Sequence, residues 1–141
     1  MNILLAVDGS KCALEAVSSL ITHISWFREV PTVHLLTVHL PVPKVGGFGG
    51  PSKKMLDKYY REEGGQNLAK AQKLLDKAGI PHKDEILVGP IAETICKYSA
   101  DARVDLICMG TRGLGAAAGL MMGSVATKVL HNAKVPVLLV K

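Results

Sequence analysis

Four times along this chain a short apolar run gives way to a turn and then to a segment whose apolar residues recur at three- and four-residue steps; a fifth apolar run comes after them. No other feature constrains the fold as much, because neighbouring parallel strands need long crossover connections and helices supply them. The runs are Asn2 to Val7, Thr32 to Leu40, His82 to Val88, Val104 to Met109 and Pro136 to Lys141. Most read as strands buried on both faces. His82 to Val88 is more polar, as a sheet edge would be.

The helical segments carry their own signals. Ser10 is placed to cap a first helix whose inner face is Ala13, Ala16, Val17, Leu20, Ile24 and Phe27. Lys53 to Ala78 keeps the same spacing through Met55, Tyr59, Leu68, Ala71 and Leu75, and Gly79 ends it. Within it Gly64-Gly65 costs about 1 kcal/mol per glycine relative to alanine, which leaves a kink or break there open. Pro90 suits the first position of a third helix bearing Ile91, Ile95, Tyr98 and Ala102. Val125, Ala126, Val129, Leu130 and Ala133 mark a fourth.

Right-handed crossovers then leave few arrangements. The compact one is a three-layer α/β/α domain spanning residues 1–141, with five parallel strands in the flavodoxin-like order 3-2-1-4-5. The chain reverses direction between strands one and four, and ligands in such sheets lie at that crevice, beyond the carboxyl ends of the strands. Asp8 ends strand one and Gly110 ends strand four. Past Gly110 the chain runs through a glycine-rich loop, and Gly123-Ser124 then opens a helix, the chemistry of a phosphate cradle.

The apolar share of 48% excludes a disordered chain. A net charge of +5 comes from scattered lysines with no interleaved aromatics, which speaks against nucleic acid and suits attraction of a small anion. Cys12, Cys96 and Cys108 form no C-x-x-C pair, and the chain shows neither a secretory leader nor a membrane-spanning run, so a cytoplasmic protein with reduced thiols is expected. The stretch Pro41 to Ser52 holds four glycines and three prolines; it reads as a loop, and as a lid over the ligand if it has a role. The five histidines lie on separate elements or on opposite strand faces and show no metal-ligand spacing.

At the glycine loop the chain resembles the universal stress protein family. Gly110, Gly113, Gly123 and Ser124 match the G-x2-G-x9-G-[ST] pattern of its ATP-binding members, and the likeness extends over A-V-D-G-S after strand one and V-P-V-L-L-V in the last strand. The resemblance implies an adenine nucleotide alpha hydrolase-like fold and homodimers formed through residues 136–141. It places Asp8 near the nucleoside of a bound ATP, Val38 at the base through its backbone, and Gly110, Gly113, Gly123, Ser124 and Val125 around ribose and phosphates, with Met109 and Arg112 as neighbours. Ala116-Ala117-Ala118 makes the loop more apolar than that pattern leads one to expect. Mg²⁺ would arrive with the triphosphate, which supplies ligands the protein lacks.

No Walker lysine stands after the loop, and Asp8 is the one carboxylate placed at the binding end, so the expectation is ATP binding with slow or absent hydrolysis and no catalytic residue. The alternatives are a low-activity ATPase, a flavodoxin-like electron carrier and a phosphoacceptor receiver. The electron carrier would want a Ser/Thr-rich loop after strand one and aromatics at the flavin; Trp26 falls in helix one. The receiver would want an aspartate at the end of strand three, where Val88-Gly89 stands.

Overall fold

The computed structural model describes residues 1–43, 50–114 and 122–141. Ile3, Leu4 and Leu5 leave no surface to solvent, because their strand, β1 (Asn2–Ala6), is enclosed on every side. It pairs in parallel with β2 (Thr32–His39) through Ile3 opposite Val33, and with β4 (Leu106–Gly110) through Ile3 opposite Leu106. Outside β2 lies β3 (His82–Val88), and outside β4 lies β5 (Val137–Val140). The order is β3-β2-β1-β4-β5, all parallel, as expected from the alternation.

Strand pleating divides the core in two. Ile3, Leu5, Val33 and Leu35 face α1 (Lys11–Thr22) and α2 (Lys53–Lys77), meeting Val17, Leu20, Leu68 and Leu75. Leu4, Leu36, Ile107 and Met109 face α3 (Ile91–Asp101) and α4 (Ser124–Asn132), meeting Ala92, Ile95, Ala126 and Val129. Each fully buried Leu or Ile contributes about 1.5–3 kcal/mol of transfer free energy. The edge strands differ in character: β3 exposes Lys83 and Asp84, whereas the four residues of β5 are apolar and half-buried.

Several local expectations are corrected. The first helix ends at Thr22: His23 N–H makes the last bond of the helical ladder, to the Ser19 carbonyl, which the ring Nδ1 of His23 also reaches at 2.8 Å. The chain then tightens into a 3₁₀ turn at Ile24–Trp26, so Trp26 and Phe27 lie outside α1, although Ile24 and Phe27 still pack on the core. Pro90 is the residue before α3 and not within its first turn. Val104 precedes β4, after Arg103 turns the chain with φ 50°. Gly64-Gly65 does not break α2, which runs unbroken for 25 residues. A Cβ on Gly64 would lie 2.6 Å from Ile86 Cγ2, so that glycine is where helix and β3 approach too closely for a side chain.

Of the Pro41 to Ser52 loop, residues 44–49 lie outside the described residues, as do Ala116-Ala117-Ala118 and Met121; Met122 packs against the α3/α4 core. No helix among the described residues is long and apolar enough to cross a membrane.

Candidate functional site

The carboxyl ends of β1, β2 and β4 open into one cavity of about 680 Å³ at the β1/β4 reversal. Ala6, Leu36, Val38 and Met109 give it an apolar floor, and Ile91 and Ile95 of α3 add an apolar wall. The opposite wall is α2, which presents Tyr59, Tyr60 and Asn67. The N-terminus of α4, with Gly123, Ser124, Val125 and Ala126, completes the lining.

Thr111 holds that helix end in place. Its N–H donates to the Val140 carbonyl at 2.8 Å and its own carbonyl accepts from Gly123 N–H at 2.8 Å, which sets the start of α4 over the end of β4. Ser10 caps α1 and Ser52 caps α2 by side-chain hydrogen bonds, but Gly123 has no side chain with which to cap α4. The first N–H groups of α4 therefore face the cavity with the positive end of the helix dipole behind them. Among the described lining residues Arg112 is the sole lysine or arginine and Asp8 the sole carboxylate.

The glycines of the loop answer to the protein's own packing. A Cβ on Gly110 would lie 2.9 Å from the Cys12 backbone carbonyl in the first turn of α1, and one on Gly113 would collide with Asp8 Oδ2. Gly123 leaves ordinary contact distance to Thr111 and Arg112. Positive φ is confined, among the described glycines, to Gly9 and Gly79, so close approach and not backbone handedness explains Gly110 and Gly113, while at Gly123 the protein's own packing leaves room for a side chain. Asp8 accepts from Ser10 N–H through Oδ1 at 3.0 Å and from Leu114 N–H through Oδ2 at 2.9 Å.

All nine residues singled out from the sequence, Asp8, Val38, Met109, Gly110, Arg112, Gly113, Gly123, Ser124 and Val125, line this cavity. Sequence reasoning missed its α2 wall. Tyr60 and Asn67, seven residues apart on the inner face of a long helix, were the available signal: a polar Asn one residue before the apolar Leu68, Ala71, Leu75 series. His39 was also missed; its Nε2 is buried and without a hydrogen-bond partner among the described residues, and its ring centroid is 5.9 Å from that of Tyr60. Of the other histidines, His23, His34 and His82 bond to groups away from the cavity, and His131 is exposed on α4. His34 Nδ1 is 2.9 Å from the Tyr98 hydroxyl, and burial first, then Lys83, lower its pKa. Among the described residues no group of three or more His, Cys, Asp or Glu side chains is arranged to hold a metal ion.

Curated relatives cover the length of the chain. Universal stress protein MJ0531 of Methanocaldococcus jannaschii is 34% identical over 141 residues, covering 99% of this chain and 81% of the relative. A universal stress protein of Thermus aquaticus is 35% identical over 145 residues, covering 99% and 98%. The solved structure of the M. jannaschii protein MJ0577 superposes with a TM-score of 0.79 at 27% identity, over 99% of this chain and 94% of that one. The same fold is found in an Archaeoglobus fulgidus universal stress protein solved with dAMP (TM-score 0.68, 22% identity, 100% and 98% covered) and an Arabidopsis thaliana family member solved with AMP (0.68, 16%, 100% and 91%). The Universal stress protein family model matches residues 1–141, and the chain belongs to that family.

Proposed function

We propose that this universal stress protein is a cytoplasmic nucleotide-binding module of the stress response, taking ATP or a related adenine nucleotide in the crevice between β1 and β4. The observation that carries the reading is the division of one cavity into an apolar floor of Leu36, Val38, Met109, Ile91 and Ile95 and a polar end at Arg112, Thr111 and the uncapped N-terminus of α4. A flat, weakly polar base suits the first, and phosphate oxygens suit the second. Relatives of the same fold solved with AMP and dAMP support an adenine nucleotide.

In this reading the backbone at Val38 meets the base edge and Met109 packs beneath it. The backbone of Gly110 and Gly113, the N–H groups at Gly123, Ser124 and Val125, and the Arg112 guanidinium hold ribose and phosphates, with Asp8 between the two ends. Mg²⁺ fits only as a companion of the phosphates: Asp8 is the one carboxylate among the described lining residues, and both of its oxygens already accept backbone N–H groups. Binding with slow or no turnover is expected from the same fact, since no uncommitted carboxylate lines the described cavity to orient an attacking water. The apolar open edge of β5 supports a homodimer joined through residues 136–141.

The test is to denature the purified protein and chromatograph the material it releases, then to measure melting with and without Mg·ATP and AMP. Released adenine nucleotide, or a melting temperature raised by either ligand, supports the reading. A chain that emerges empty and melts identically under all conditions refutes it. Sedimentation as a monomer at every concentration would remove the dimer.

A further inference from the structure

We infer, resting on the nucleotide reading above, that Asp8 is a positioning residue that clasps the phosphate loop and serves recognition through that loop more than by touching the ligand. Its carboxylate is held at both ends. Oδ1 accepts from Ser10 N–H two residues on, which fixes the side chain against the start of α1 and aims Oδ2 across the crevice at Leu114 N–H. That second bond joins residues 106 positions apart in the chain.

Three further observations fit a clasp. Gly113 approaches so closely that a side chain there would collide with Oδ2, so loop backbone and carboxylate are fitted to each other. Between Thr111, anchored to Val140, and Gly123, anchored to Thr111, the bond from Leu114 to Asp8 is the one tether the described residues give the loop. An ionised carboxylate is an acceptor only and repels phosphate, so its presence in an anion site calls for a partner that donates, and Leu114 N–H is such a partner. The consequence is a division of labour: losing Asp8 frees the backbone at Gly113 and Leu114, at the phosphate end of the cavity, and leaves the base-binding floor intact.

Titration calorimetry with adenosine, ATP and 2′,3′-dideoxy-ATP on wild type, Asp8→Ala, Asp8→Asn, Gly113→Ala and the Asp8→Ala/Gly113→Ala double variant tests this. The clasp predicts that Asp8→Ala and Gly113→Ala each weaken ATP by roughly tenfold or more, the worth of one lost charge-assisted hydrogen bond, while adenosine affinity holds. The double variant should be no worse than the worse single one, because both break one interaction. Equal losses for adenosine and ATP, with dideoxy-ATP unaffected, would mean direct contact with ribose hydroxyls and overturn the inference. So would an Asp8→Ala protein that binds ATP as tightly as wild type. Amide hydrogen exchange without ligand gives an independent arm: Leu114 N–H should be protected in wild type and lose protection in Asp8→Asn, and equal rates would overturn the clasp. Wild-type protein that binds neither adenosine nor ATP defeats the nucleotide reading itself and this role with it, whatever Leu114 shows.

Discussion

The adjacent glycines of α2 form a paired experiment on what a missing Cβ is for. A Cβ on Gly65 would meet nothing within 4 Å, so alanine there brings only the helix-propensity gain of about 0.8–1.0 kcal/mol and a rise of a few degrees in Tm. At Gly64 the same gain is set against three atoms of Ile86, with Cγ2, Cδ1 and Cγ1 at 2.6, 2.8 and 2.9 Å from the new methyl. The whole Ile86 side chain would have to move, and its strand cannot retreat cheaply because β3 is paired to β2 from His82 to Val88. Overpacking of this kind costs about 1–3 kcal/mol, so Gly64→Ala should come out between neutral and roughly 2 kcal/mol destabilised. Urea unfolding at constant m-value measures both variants. Ile86→Ala supplies the control: in that background the clash is gone, and Gly64→Ala should stabilise as Gly65→Ala does, a coupling of about 1–3 kcal/mol. If Gly64→Ala stabilises the wild-type chain as much as Gly65→Ala, the close helix–strand approach is not what selects glycine at 64.

Burial works against the charged ring of His82, but its hydrogen bonds to Asp76 and Asp84, at 3.1 and 2.7 Å, outweigh it and raise the pKa above 6.5. A raised folded pKa contributes stability that is complete below the unfolded value and lost as pH rises through the folded one, so Asp84→Asn should cost stability in mild acid and little in alkali; a gap that widens with rising pH contradicts this. Tyr98→Phe removes the partner of His34 Nδ1, whose residue is 6% exposed, and should cost about 1–3 kcal/mol in urea unfolding, with a neutral result arguing against the bond. Burial pushes the Cys108 thiol up to about 12, so a thiol reagent at neutral pH should modify Cys12 and Cys96 first and reach Cys108 only on unfolding. Prompt reaction of all three thiols would refute that order.

The sheet order was legible because it rests on two robust signals, continuous apolar strands and helical spacing between them, and topology rules do the rest. The crevice was legible for the same reason: Asp8 and Gly110 end the two strands at the reversal, so the topology placed them. The features that could not be read depended on atoms meeting across the chain. Helix one was read through to Phe27 because Ile24 and Phe27 keep the spacing and do reach the core, yet the chain leaves the helix at Thr22 and brings them there through a 3₁₀ turn. Gly64-Gly65 looked like a weakness in isolation, and Gly64 proved to be a packing surface once Ile86 lay opposite. The hydrogen bond from Leu114 to Asp8 leaves no trace in residue type, since any residue but proline has the backbone N–H.

The unlike edges of the sheet set a limit on how copies of this chain can assemble. A strand added to β3 would have to lie beside Lys83 and Asp84, charges that resist continuation of a sheet, whereas β5 offers an unbroken apolar row of four residues. If two chains meet edge to edge at β5, each has spent its one receptive border and turns a charged one outward. Such growth stops at the pair: the contact is self-complementary and closed, and no third molecule can extend the sheet into a fibre.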